Sequence, residues 1–123
     1  MFAIEVQTMF FASHQLRLPN GTIEPLHRHH WNVTVRVEAM KLDVLETVMD
    51  FHQLEQSLQQ LCAVWENRHL NDIPPFDKAV NPSAERVAQR IAELIASHIP
   101  APAKLRSVSI TEAPNCMAIY VLE

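Results

Sequence analysis

Three histidines and one glutamate stand where a protein rarely leaves a polar group without a purpose. His27 and His29 lie two residues apart in a stretch that alternates, with His27, His29, Trp31, Val33, Val35, Val37 and Ala39 on one face and Arg28, His30, Asn32, Thr34, Arg36 and Glu38 on the other. Residues two apart on a strand point the same way, so both imidazoles can reach one ion. His14 ends a second alternating run, Phe2, Ile4, Val6, Thr8, Phe10, Ala12 and His14. A third imidazole from a neighbouring strand completes a facial set, and three neutral imidazoles at ~2.0–2.1 Å form a catalytic zinc shell with a position left for substrate. The bland alternative is a set of strand-end histidines bonded to backbone or water. Glu112 follows Val108 and Ile110 in phase, so a carboxylate sits where an apolar face is ending. It needs a cationic or multi-donor partner there, unless it simply reaches solvent or an arginine.

The other chemistry-bearing residues carry less signal. His98 reads as a partner of a helix C-terminus, and His30, His52 and His69 as surface or supporting residues. Cys62 falls on a helical apolar stripe and Cys116 reads as a small strand hydrophobe. Neither has a base beside it in the pattern, which argues against cysteine nucleophilic catalysis.

The elements that must position these residues follow from periodicity. Strands are expected over Phe2–His14 and His27–Ala39, joined by the turn-rich Leu18-Pro19-Asn20-Gly21-Thr22. Asp50, with Gln53 at capping-box spacing, opens a helix whose stripe is Phe51, Leu54, Leu58, Leu61, Cys62 and Trp65. Residues Asn71–Val80, with Pro74 and Pro75, read as a loop. Asn81-Pro82 then serves as N-cap and first residue of a second helix with Ala84, Val87, Ala88, Ile91, Leu94 and Ile95 on its stripe. Strands over Leu105–Glu112 and Cys116–Leu122 close the chain. The order β-β-α-α-β-β gives an α+β fold with an antiparallel sheet.

Composition narrows the function classes. The 123 residues form one domain spanning 1–123, 48% hydrophobic, with a single glycine; such a chain buries enough apolar surface to fold without disulfides. A net charge of −4 argues against an electrostatic nucleic-acid binder. No apolar run approaches the ~20 residues that cross a bilayer. The N-terminus, broken by Glu5 and Gln7, does not read as a signal peptide. Two isolated cysteines fit a reducing, cytoplasmic setting.

Taken together, Phe11-Ala12-Ser13-His14 and His27-Arg28-His29-His30-Trp31 resemble the FxAxH and HGHNY signatures of the 6-pyruvoyl-tetrahydropterin synthases, a family that includes the bacterial 6-carboxytetrahydropterin synthases of queuosine synthesis. Agreement continues through Met49-Asp50-Phe51, His69-Leu70-Asn71-Asp72-Ile73-Pro74, Asn81-Pro82-Ser83-Ala84-Glu85, Thr111-Glu112 and Ile119-Tyr120. The resemblance implies the tunnelling fold, a four-stranded antiparallel sheet backed by two helices, with subunits closing into a barrel as a trimer or hexamer. It implies Zn2+ on His14, His27 and His29, and a pterin anchored by Glu112, next to Thr111, in a pocket between subunits.

The sequence departs from the family pattern at three places. The position of the family's catalytic cysteine is Ile23, the glycine between the two histidines is Arg28, and the Leu-Asp-His relay aligns with Trp65-Glu66-Asn67. Proton abstraction by a thiolate therefore has no agent. Glu24, three residues before His27, is similar to the glutamate of a variant branch that cleaves the side chain of 7,8-dihydroneopterin to give 6-hydroxymethyl-7,8-dihydropterin for folate synthesis. A carboxylate is a weak base toward a carbon-bound proton, but it can take one from a hydroxyl whose pKa a metal has lowered. Glu66 would stand in for the relay aspartate. Two functions follow: a zinc-dependent pterin lyase with Glu24 and Glu66 catalytic, or a zinc-containing pterin or purine binder that has lost catalysis. For Glu24 the plain alternative is a solvated loop acid.

Overall fold

The computed structural model describes residues 1–123. Strand β1 (Phe2–His14) pairs antiparallel with β2 (His27–Ala39) over their whole lengths, with Phe2 opposite Ala39 and His14 opposite His27. Both bounds match the alternation in the sequence. Helix α1 (Phe51–Ala63) follows, then β3 (Arg68–His69), helix α2 (Ala84–Ile95), β4 (Lys104–Ala113) and β5 (Cys116–Val121). The strand order is β3-β1-β2-β4-β5.

The sheet differs from the expected four-stranded antiparallel one. Its four long strands are antiparallel, but Arg68 and His69 add a fifth, parallel to β1 beside Ala12 and Ser13. A two-residue strand carries no period of its own, and backbone bonding at the β1 edge creates it. Within one chain the sheet stays open: β5 and the outer edge of β1 over residues 2–10 have no neighbouring strand.

Both helices cover one face. Leu54, Leu58 and Cys62 turn inward from α1, and Ala84, Val87, Ala88, Ile91, Ala92 and Ile95 from α2. They meet Val6, Phe10, Trp31, Val33, Val35, Val37, Val108 and Ile110 in one core. The alanines of α2 let that helix lie close to the sheet. Phe51, expected on the α1 stripe, is half exposed at the first turn. Asp50 caps α1 by accepting the His52 N–H. The N-cap of α2 is Ser83, which accepts the Arg86 N–H, and not Asn81; the Asn81 amide is engaged elsewhere. No helix is long and apolar enough to cross a membrane.

Two irregularities re-aim β4. Arg106 is passed over between the Arg36–Ser107 and Val37–Leu105 pairs, which shifts the inward phase from Leu105 to Val108 and Ile110. Glu112 is passed over between the Thr111–Met117 and Ala113–Cys116 pairs. An extra residue of this kind kinks the strand and redirects its side chain.

Candidate metal centre

The antiparallel register sets His14 directly opposite His27 and places His29 two residues along, all on the helix-covered face. Trp31, fully buried, continues that face and forms a floor. Its indole stacks on the His29 ring at 4.5 Å, meets the His14 ring edge-on at 4.7 Å and donates to the Ala12 carbonyl. Phe10 and Trp65 pack beneath it. The imidazoles therefore stand on a rigid aromatic base.

His14 is 2% exposed, and its Nδ1 lies 2.8 Å from the Pro82 carbonyl oxygen. A carbonyl only accepts, so Nδ1 carries the hydrogen and Nε2 presents a lone pair. Burial holds the His14 pKa below the ordinary imidazole value and the nearby His29 and His27 rings act in the same direction, against the opposing pull of the Pro82 carbonyl and the Glu112 carboxylate. The ring is thus kept neutral and its free nitrogen aimed.

His14 Nε2 faces His29 Nε2 at 3.0 Å, and Glu112 Oε1 lies 3.4 Å from both. The redirected β4 residue supplies the third vertex. In a tetrahedral site with bonds of ~2.0–2.1 Å, ligand atoms stand about 3.3 Å apart. The three observed separations bracket that value, so the donor set fits a divalent ion. The Nδ1–H bond from His14 to a carbonyl is also the support that metal-bound imidazoles use to fix tautomer and orientation.

His27 stands beside this triangle. Its ring lies 5.7 Å from that of His14, its side chain is half exposed, and its Nε2 is 3.5 Å from Glu24 Oε2. Glu24 is no solvated loop acid. Its Oε1 accepts the Leu16 N–H at 2.9 Å, and its backbone N–H donates to the Leu16 carbonyl. The β1–β2 connection folds back on itself to allow this. Leu18 and Thr22 are bonded, and Gly21 takes the turn at φ 84°, a left-handed conformation that glycine adopts without strain. Ile23, at the position discussed above, has an exposed side chain.

Glu66 and Thr111 lie off the cluster. Glu66 Oε2 accepts the Phe11 N–H at 2.9 Å on the outer edge of β1, with no contact to Glu24 or the histidines in the same chain. Asn67, at φ 59°, donates its backbone N–H to the Phe11 carbonyl. Thr111 lies between the two faces at the strand end. It borders a cleft of about 310 Å³ with His29, His30, Asn32 and Glu112, and a second of about 410 Å³ on the helix-free face with Gln7, Met9 and Met117. Arg28 does not crowd the histidines; alternation turns it to the helix-free face, where it lines a different cleft. His98 is exposed at the end of a short 3-10 turn after α2. Cys62 is buried and its thiol is pushed up to about 12 by that burial, while Cys116, expected to pack as a strand hydrophobe, is exposed.

Several supporting residues were not visible in the sequence. Asn71 pairs twice with the backbone of Gln15, accepting its N–H at 2.9 Å and donating to its carbonyl at 2.8 Å. Asn81 does the same with Arg17. These two amides take the place of a neighbouring strand just beyond His14. Arg17 in turn donates to the carbonyls of Phe76 and Val80. The proline pair and flanking asparagines of that segment carry only a loop signal.

Comparison with known proteins agrees with this architecture. The family described as 6-pyruvoyl tetrahydropterin synthase matches residues 3–123. Comparison with curated proteins gives no match. Among solved structures, the 6-pyruvoyl tetrahydropterin synthase of Caenorhabditis elegans is 20% identical with a TM-score of 0.83, covering 99% of this chain and 96% of that one. An uncharacterised protein from Wolinella succinogenes is 20% identical with a TM-score of 0.79, covering 99% and 98%. The Plasmodium vivax 6-pyruvoyltetrahydropterin synthase, solved with a catalytic glutamate replaced by alanine, is 17% identical with a TM-score of 0.74, covering 98% of each chain. With a family match over nearly its whole length and the same fold, the chain belongs to the 6-pyruvoyl tetrahydropterin synthase family.

Proposed function

We propose that the protein is a zinc-dependent lyase acting on the side chain of 7,8-dihydroneopterin or its triphosphate, in line with a family of pterin side-chain lyases. The observation that carries this reading is the convergence of His14 Nε2 and His29 Nε2 at 3.0 Å beside the Glu24–His27 pair. His14 and His29 hold the ion, and His27, whose exposed ring is free to turn, completes the set. Three neutral imidazoles leave the full 2+ charge on the ion and leave Glu112 for the substrate.

A divalent ion there supplies a Lewis acid for the oxygens of the pterin side chain. Glu24 is the base. The Leu16 N–H fixes one of its oxygens, and the other is left to take a proton from the side-chain hydroxyl. Loss of that proton starts the retro-aldol break of the side chain. Glu112 has a side chain 41% exposed at the rim, and its carboxylate is the acceptor for the N–H donors of an amino-pyrimidine edge, with Thr111 beside it. The P. vivax relative, whose catalytic residue is a glutamate, supports a carboxylate in this role.

Glu66 is proposed as a helper only across a subunit boundary, since within one chain it is bonded at the β1 edge. The two free sheet edges, with Met117, Ile119 and Val121 exposed on β5, support subunits joined edge to edge into a trimeric barrel or a hexamer of two. A second reading, a zinc-containing pterin binder without turnover, is favoured by Asn67 alone, which cannot titrate. Incubation of the zinc-loaded protein with 7,8-dihydroneopterin, and separately with its triphosphate, decides between them. A new pterin by mass spectrometry supports the lyase; tight binding of both without product leaves the binder.

A further inference from the structure

The helix-free face carries a charged cleft that the metal centre does not use. The chain has seven arginines. Arg17 donates to the carbonyls of Phe76 and Val80, Arg36 pairs with Glu5 and Glu38, and Arg86 bonds Gln89. Arg90 pairs with Glu93, and Arg106 reaches the Leu122 carbonyl and Glu38. Arg28 and Arg68 alone have no ion pair and no side-chain hydrogen bond, and both line one cleft of about 330 Å³ with Ser13, Asn67, His69 and Phe11.

The sheet register builds this cleft. Arg28 lies opposite Ser13 on the β1–β2 ladder, and Ser13 lies opposite His69 on the β1–β3 ladder. Three strands therefore set a guanidinium, a hydroxyl and an imidazole in one row, with Arg68 next to them at the sheet edge. Ser13 Oγ and His69 Nδ1 are 2.8 Å apart. If the hydroxyl donates to Nδ1, Nε2 carries a hydrogen into the cleft; if Nδ1 donates, the hydroxyl hydrogen is released. Either arrangement leaves one donor free. The short β3 strand, which bears no catalytic residue, supplies two of the cleft's side chains.

Two guanidiniums held together without an internal carboxylate gain only from an anion placed between them, and the fork of N–H groups matches phosphate oxygens in pairs. We propose that this cleft is an oxyanion site that takes a phosphate or short polyphosphate group, either free or as part of a small molecule. Its volume lies at the small end of the range for ligand sites. It is distinct from the histidine cluster: Arg28 lies between His27 and His29 in sequence but on the opposite face of β2. The site stands whether or not the pterin reading holds.

Calorimetric titration with inorganic phosphate and with inorganic triphosphate tests it, on protein dialysed against a chelator so that anion binding to a metal is not counted. Saturable binding is expected, weakened tenfold or more by Arg28→Gln and by Arg68→Gln, and restored in part by Arg28→Lys. Arg86→Gln, which removes the same charge from exposed helix surface, is expected to change the affinity less than twofold. Circular dichroism checks that each variant keeps the fold. Absence of saturable binding, or equal weakening by Arg86→Gln, overturns the proposal. A further arm separates the two sources and alone rests on the pterin reading. A raised KM for dihydroneopterin triphosphate in Arg28→Gln, with KM for dihydroneopterin unchanged, assigns the site to the substrate's own phosphates; equal KM values assign it to a free anion.

Discussion

Replacing Glu24 by glutamine separates two tasks that one carboxylate performs. Oε1 accepts the Leu16 N–H at 2.9 Å, while Oε2 faces His27 Nε2 at 3.5 Å. Glutamine keeps a side-chain oxygen for Leu16, so the structural loss is the difference between a hydrogen bond to a charged acceptor and one to a neutral acceptor, about 1 kcal/mol. For a chain of 123 residues that lowers Tm by about 4 °C. An amide cannot accept the proton, so kcat should fall by the full general-base factor of about 10²–10⁴, or about 3–5 kcal/mol of barrier. The assay is steady-state turnover of 7,8-dihydroneopterin with product measured by mass spectrometry, alongside a thermal melt and zinc content on the same preparation. Glu24→Ala should lose the same activity and a further few degrees, because the Leu16 N–H is then left without its partner. A glutamine variant that keeps kcat within threefold, or one that loses activity only in proportion to lost zinc or lost fold, refutes the role assigned to Glu24.

Other outcomes follow from the supports of the centre. Asn71→Ala leaves the N–H and carbonyl of Gln15 without partners beside His14, so unfolding in denaturant should show a loss of about 1–3 kcal/mol together with weaker zinc binding. Trp31→Ala removes the floor of both imidazoles and opens a core cavity; a loss of about 3–5 kcal/mol is expected, and an unchanged melt would contradict the packing described. Zinc retention should fall with acidification. Ligation needs neutral imidazoles of ordinary pKa ~6.5, and burial resists protonation of His14 below that value, so metal analysis after dialysis should show release below about pH 6.5 and full retention above it.

The sequence made some of this legible because certain elements depend on local pattern alone. The thirteen-residue alternations of β1 and β2 place Val6, Phe10 and Ala12 against Trp31, Val33 and Val35, and any other register would bury Glu5 or Arg36. That same phase put His14, His27 and His29 on one face. The stripe of α2 was equally clear, but its N-cap was not. Asn81 has the chemistry of a cap, yet its amide pairs with the Arg17 backbone, and Ser83 takes over the helix end. This depends on a partner sixty-four residues away, which no local pattern records. β3 was illegible for the same reason, since Arg68 and His69 become a strand only because β1 offers an edge.

Glu112 shows both sides of this. Its position at the end of an apolar phase marked it as unusual, while its approach to His14 and His29 comes from the bulge between β4 and β5. A bulge is set by pairing, not by the residue that bulges. The separation of Glu66 from Glu24 within one chain was likewise beyond reach, because it follows from which strand edge each residue meets.

The central claim is that His14 and His29 present two bare Nε2 atoms to one divalent ion. Crystals grown with zinc, measured on both sides of its absorption edge, test it directly. A single strong anomalous peak about 2.0–2.2 Å from both nitrogens is the predicted result. A map in which these rings carry no peak while zinc occupies other residues would contradict the account.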